Sequence, residues 1–488
     1  MTFRKLITYL TFLAVFTMAV RVSVDSDTWW HLKAGEWILE NREILRMDPF
    51  SITRIGESWV YPGWISQLLL FAVFQFSGFA GLNLLTGFLV VLAFGVVWKK
   101  LEAPPLFRSL IVILAAAASG VYWSARPQIF SFALAGVFLA ILEGETPRSP
   151  RKLILLPVVM AVWANIHGGF VIGFLILLAY LGGEIVESVL GGWLRGSVAD
   201  SLRQRKQAWL HLIWAGLGCV AAVCLNPHGP IMLLYPFQTV SIGALQNYIQ
   251  EWQSPNFHQL EILPFLILIL ALLAAFSWTS RRVRAVEFLL VIGFLPLALM
   301  AGRNIALFAL AATIPLARHG YDALKPLLDK LPPSKPLPER ITRPLNLSLI
   351  LLLSVAALAK ISIPLQPAVI ETAIQTANPV GAADYLEAHP GLGRLFNSYN
   401  WGGYVIWRLY PQYLSFVDGR TDLFDDVILD DYLQAWRAEE GWEQIMLDWD
   451  IDVALIESGA PLAGALEDAG WEAAYEDSMA VILLRTEP

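Results

Sequence analysis

The chain is built from long apolar runs separated by short polar connections. Eleven runs come near the ~20 mostly apolar residues that a helix needs to cross a bilayer, at 6–24, 79–98, 106–124, 128–143, 152–165, 169–190, 207–225, 261–279, 285–301, 303–318 and 345–363. After the last run the pattern changes. Segments 414–417, 453–456 and 480–484 read as short buried strands, alternating with helical stretches around 382–388, 429–438 and 462–469. The expected architecture is a polytopic α-helical membrane domain over residues 1–363, then a C-terminal α/β domain over residues 364–488.

Composition supports a multi-pass protein. Of 488 residues 56% are hydrophobic and 15% charged, with 19 Trp, and the mean hydropathy is +0.56, beyond what a soluble core requires. The charge pattern carries no nucleic-acid footprint. Arg4 and Lys5 precede the first run without a small-residue cleavage site, so that run is expected to stay as an uncleaved helix. Cys219 and Cys224 lie five apart within one apolar run, a spacing that fits neither a redox pair nor a zinc site.

Lys and Arg set the expected orientation, because cytoplasmic loops retain positive charge. With the N-terminus inside, the inner loops collect Arg4 and Lys5, Lys99 and Lys100, Arg148, Arg151 and Lys152, then Arg195, Arg203, Arg205 and Lys206. Arg281, Arg282 and Arg284 follow, and then Arg318, Lys325, Lys330, Lys335, Arg340 and Arg343 around a Pro-rich linker at 331–338. The C-terminal domain then lies outside the cell (inner or plasma) membrane. On that same outer side fall the polar motifs Asp25-Ser26-Asp27, Arg126-Pro127, Asn165-Ile166-His167-Gly168-Gly169, Asn226-Pro227-His228, Glu251-Trp252 and Arg303-Asn304.

Asp25 and Asp27 stand where the first run ends. Carboxylates at the mouth of a membrane helix cost desolvation energy unless they face water, a metal or a cation, so packing alone does not account for them. Asp27 or Thr28 is expected to cap a surface helix through Trp-Trp-His-Leu-Lys-Ala-Gly-Glu-Trp, with Trp30, Ala34, Trp37 and Ile38 on one face. A second surface helix is expected at 64–76, entering the second span through Gly78 and Gly81. These elements make up the first outer loop, residues 25–78.

This layout resembles the GT-C class of membrane glycosyltransferases. Asp25 and Asp27 match its acidic positions after the first span, and the segment from Pro62 through Gly78 to Trp98 is similar to the surface helix and second span of aminoarabinose and protein O-mannosyl transferases. Tyr399-Asn400-Trp401-Gly402-Gly403-Tyr404 followed by Phe416-Val417-Asp418-Gly419-Arg420 resembles the arrangement in oligosaccharyltransferase catalytic subunits, without the central Asp of their signature. The resemblance implies an enzyme moving a sugar from a polyprenyl-phosphate donor to an extracytoplasmic lipid, glycan or protein.

Such a reaction needs a base for the acceptor proton and a cationic cradle for the leaving phosphate. Asp25 and Asp27 are the expected catalytic residues, acting directly or through a divalent cation, Mg or Mn. Arg126, His167 and Arg303 are the expected phosphate ligands. His31, Asp48, Glu251, Trp401, Gly402, Gly403, Asp418 and Arg420 are the expected sugar or acceptor contacts, with Trp29, Trp30 and Trp252 as stacking surfaces. A flippase of lipid-linked glycans and a non-catalytic assembly protein are the alternatives. The first would more typically show internal repeats and midplane charges, and the second has no need of the acidic pair.

Overall fold

The computed structural model describes residues 2–144, 149–194, 196–243, 249–330 and 338–486. Arg148, Arg195, Lys335 and the linker segment 331–337 lie outside the described residues. Each of the eleven apolar runs forms helix. Among the described residues five helical segments are long and apolar enough to cross a membrane: Trp64–Trp98, Pro105–Tyr122, Gly168–Leu194, Leu260–Trp278 and Glu339–Leu365. The other runs are shorter or less apolar; Leu155–Ala164 has 10 residues and Ile305–Pro315 has 11.

Helix α1 (Phe3–Ala19) ends five residues before the expected limit, and 20–25 run extended to helix α2 (Ser26–Asn41). The cap of α2 is Asp25, not Asp27 or Thr28: its side chain accepts from the Asp27 N–H at 3.0 Å. Helix α3 (Trp64–Trp98) joins the second surface helix to a span. The joint is Gly78 (φ 59°, ψ −154°), a backbone conformation that an L side chain resists. A Cβ there would meet nothing, so glycine serves the bend and not the packing.

α2 was expected on the membrane surface with one buried face. Instead it is sandwiched, with Thr28 through Leu32 all buried. Against α3 the approach is close enough that a Cβ on Gly35 would lie 2.3 Å from the Gln67 carbonyl. On the other side lies the C-terminal domain.

That domain carries a four-stranded sheet of β1 (Arg394–Asn397), β2 (Ile451–Glu457), β3 (Glu472–Glu476) and β4 (Ala480–Leu484) in the order β1-β2-β4-β3. β1 pairs parallel to β2, and β4 runs antiparallel to β2 and β3. Alternation along the central strands sorts the side chains into two cores. Val453, Leu455, Ala480 and Ile482 join the core continuous with the membrane helices. Ala454, Ile456, Val481 and Leu483 share a second core with Trp30, Ala34 and Ile38 of α2.

Segment 414–417, expected as a strand of this sheet, instead pairs with the first outer loop. Ile52 N–H donates to the Ser415 carbonyl at 2.9 Å and Ser415 N–H to the Phe50 carbonyl at 3.0 Å. The boundary at residue 364 therefore marks a change of architecture, while the second core and these bonds join the domain to the outer loop.

At the opposite end, the basic connections meet carboxylates. Arg284 contacts Glu143 at 2.8 Å and Glu287 at 2.9 Å, Arg205 contacts Glu184 at 3.0 Å, and Arg282 contacts Glu187 at 3.0 Å. The two sets of loops thus gather at different ends of the helices.

Candidate active site

A cavity of about 1130 Å³ opens between the start of α2, the turn at 121–128, the 249–259 segment, Arg303 and the face of the C-terminal domain. Its centre is Arg126, placed where the 3₁₀ turn Gly120–Tyr122 ends and Pro127 starts the helix Gln128–Leu142. One guanidinium meets three carboxylates: Nε lies 3.1 Å from Asp25, Nη1 2.6 Å from Asp27 and Nη2 2.7 Å from Glu251. Glu251 also contacts Arg303 Nη1 at 3.2 Å, and Arg303 stacks 4.5 Å over Trp252.

The charges act on one another strongly because the site is buried. Burial, aided by Asp25 and Glu251, raises the Asp27 carboxyl to about 7 against the pull of Arg126. Burial would raise Glu251 too, but Arg126 and Arg303 outweigh it and hold it at about 2. Burial, then Arg303 and Arg126, lowers His167 to about 3, so its ring is neutral near pH 7. The tautomer follows from its partners. His167 Nδ1 accepts from Gly169 N–H at 3.1 Å and sits 2.8 Å from Ser131 Oγ, which itself accepts from Trp163 Nε1. The proton is therefore on Nε2.

Of the expected site residues, Asp25, Asp27, His31, Arg126, His167, Glu251 and Arg303 all line this cavity. His31 Nδ1 is buried and has no hydrogen-bond partner among the described residues. Glu251, expected beside the acceptor, bridges Arg126 and Arg303 with its two carboxylate oxygens.

The expected acceptor residues of the C-terminal domain are placed differently. Arg420 is fully buried, fork-on to Asp418 (2.8 and 2.7 Å) and paired with Asp48 of the first outer loop, so the three engage one another away from the cavity. Trp401 is buried in the core and Gly402 and Gly403 are packing positions. A Cβ on Gly402 would lie 2.0 Å from the Val417 carbonyl, and one on Gly403 2.3 Å from that of Ser26. Gly403 thus packs the domain onto α2, Gly402 packs within the domain, and Arg420 ties it to the first outer loop. Trp29 is likewise buried, edge-on to Phe79 and Tyr404.

Several cavity residues escaped the sequence reading. Asp422, held by Tyr235 Oη at 3.1 Å and raised by burial to about 6, faces the cavity with Tyr399, Tyr432 and Glu457. Gly419 comes closest to the centre: its Cβ would lie 1.7 Å from Asp27 Oδ1.

Asp25 and Asp27 would hold a divalent cation only by giving up Arg126. Among the described residues no group of three His, Cys, Asp or Glu could hold a metal ion. The donor set thus fits a guanidinium better than a metal.

No protein-family model and no curated protein matches the chain. Solved structures do. The oligosaccharyltransferase of Archaeoglobus fulgidus superposes with a TM-score of 0.50 at 13% identity, over 93% of this chain and 69% of that one. ArnT from Cupriavidus metallidurans bound to undecaprenyl phosphate gives 0.47 at 13% identity, over 98% and 97%. The mycobacterial arabinofuranosyltransferase AftD gives 0.44 at 12% identity, over 99% and 40%. The chain has a GT-C-like membrane fold with a small C-terminal sheet.

Proposed function

We propose that the protein is a membrane glycosyltransferase that moves a sugar from a polyprenyl-phosphate donor to a hydroxyl-bearing acceptor on the outer side. One observation carries this reading: a cavity at the end of the helices in which Arg126 pairs with Asp25, Asp27 and Glu251, and Glu251 pairs with Arg303. The GT-C-like fold supports the same class. In the proposed topology the N-terminus is inside, all eleven helical runs belong to the membrane domain, and the cavity faces the outer leaflet.

Glu251 bridges Arg126 and Arg303 through its two oxygens, the arrangement that a phosphate would take. Donor entry exchanges this carboxylate for the phosphate, with His167 Nε2–H as a neutral third donor. Asp27 then takes the proton of the acceptor hydroxyl as the acceptor oxygen bonds to the anomeric carbon. The bond from that carbon to the phosphate oxygen breaks, and the polyprenyl phosphate leaves with its added negative charge against the two arginines. His31 Nδ1 is available to a sugar hydroxyl, and Asp25 orients Arg126. No step passes through a metal.

The test is transfer of labelled sugar from polyprenyl-phosphate sugars in membranes carrying the wild type or an Asp25→Asn, Asp27→Asn double variant. Loss of transfer in a double variant that inserts normally supports the reading. Wild-type turnover by that variant removes the proposed base.

A further inference from the structure

A second hollow, of about 990 Å³, lies at the other end of α1. Its walls are mainly apolar, with Phe12 and Phe16 of α1 facing Val91 of α3. At its mouth stand four cations from three elements: Arg4, Lys5, Lys99 and Arg108. Among the described residues no acidic one lines it, and none of the four cations has an ion-pair partner. This contrasts with Arg205, Arg281, Arg282, Arg284 and Arg318, which all meet carboxylates.

The cations are also placed and not merely present. Arg108 donates from Nε to the Ala103 carbonyl and from Nη1 to the Trp98 carbonyl at 3.5 Å, with its guanidinium 5.9 Å over the Trp98 ring. That fixes the fork and leaves Nη2 unassigned. Arg4 and Phe16 are twelve residues apart on one helix, roughly 18 Å at 1.5 Å per residue. One leaflet of hydrocarbon is roughly 15 Å deep, half of the ~30 Å core. The groove therefore has the length of one leaflet, a charged end and an apolar remainder.

We infer that this groove holds one anionic glycerophospholipid from the leaflet opposite the sugar-transfer cavity. Its phosphate sits among Arg4, Lys5, Lys99 and Arg108, and one acyl chain lies along Phe12, Phe16 and Val91. Charge complementarity selects the anion, since four unpaired cations at a membrane surface attract a negative headgroup and repay no zwitterion in the same way. The groove selects a lipid over a free anion, because an ion would leave the apolar walls unfilled. The site is independent of the chemistry proposed for the cavity.

Native mass spectrometry of the full-length protein in mild detergent tests this, with phosphatidylglycerol and phosphatidylcholine of identical chains added in turn. The expected result is one retained phosphatidylglycerol, at least about tenfold more abundant than phosphatidylcholine at equal concentration. An Arg4→Gln, Lys5→Gln, Lys99→Gln variant should retain about tenfold less, and Val91→Trp, which fills the groove with charge unchanged, should also lose the lipid. Arg394→Gln, at the surface of the C-terminal domain, should retain it as the wild type does. Equal retention of the two lipids would overturn the inference, as would full retention by Val91→Trp. Displacement of the lipid by millimolar inorganic phosphate would show an anion site without the acyl component and would overturn it too.

Discussion

Adding one methyl group at Gly419 tests whether the C-terminal domain completes the site at the membrane. The Cβ of Gly419→Ala would lie 1.7 Å from Asp27 Oδ1 and 3.1 Å from Trp30 Nε1, distances that cannot stand. Either the 418–422 segment backs away, with Asp418 and Arg420 beside it fixed in the buried triad, or Asp27 turns off Arg126. The second route gives up a charge-assisted hydrogen bond of 2.6 Å, worth about 1.5–3 kcal/mol. Thermal unfolding of the purified protein, followed by tryptophan fluorescence, should show Gly419→Ala destabilised by about that amount, and transfer should fall by about tenfold to a hundredfold. Gly464→Ala is the matched control, since its Cβ meets nothing within 4 Å and it lies in the helix Pro461–Asp468. That change should stabilise by roughly 0.5–1 kcal/mol, as alanine loses less backbone entropy in a helix. If the two variants melted and turned over alike, the claimed contact between the domain and Asp27 would be wrong.

Three further outcomes follow from the same geometry. Glu251→Gln should bind undecaprenyl phosphate roughly tenfold more tightly, because an uncharged amide competes less well for Arg126 and Arg303; unchanged or weaker binding, by isothermal calorimetry in detergent, would show that Glu251 does not occupy the phosphate position. Transfer should fall as pH drops through about 7, where Asp27 takes up its proton and ceases to be a base, approaching about tenfold per pH unit below it; a flat rate from pH 5 to 8 would exclude Asp27 as the titrating base. Treatment with a chelator should leave transfer intact, since Arg126 already engages Asp25, Asp27 and Glu251; activity lost with chelator and restored by Mn would contradict this.

Much of the fold is legible in the sequence because the bilayer restricts the choice: a long apolar run without water must satisfy its backbone internally, as helix. The same logic made Asp25, Asp27, Arg126, His167 and Arg303 stand out, since each is an ionisable group at the end of an apolar run, while Glu251 stood out in a polar motif of the outer loop between two runs. Their convergence on one cavity was not legible, because it depends on how separate helices pack. Asp48, Asp418 and Arg420 show the limit from the other side. Charge and motif marked them as site residues, yet the sequence does not reveal that a long-range pairing buries them. The docking roles of Gly403 and Gly419 are likewise invisible without α2, whose Ser26 carbonyl faces the first and whose Asp27 side chain faces the second. For segment 414–417, alternation foretold burial, but its pairing with Phe50 and Ile52 of the outer loop depends on tertiary contact.

The central claim is that two arginines on separate elements grip the phosphate of a polyprenyl lipid. Its most direct measurement is the affinity of the purified protein for undecaprenyl phosphate, compared with Arg303→Gln at matched fold and detergent. Arg303 contacts Glu251 at 3.2 Å and Trp252 from one side only, so its loss leaves the Arg126 cluster in place. Saturable wild-type binding that weakens by about tenfold or more in the variant, about 1.4 kcal/mol or more, is the result this account predicts. No saturable binding by the wild type, or equal affinity in the two proteins, would contradict it.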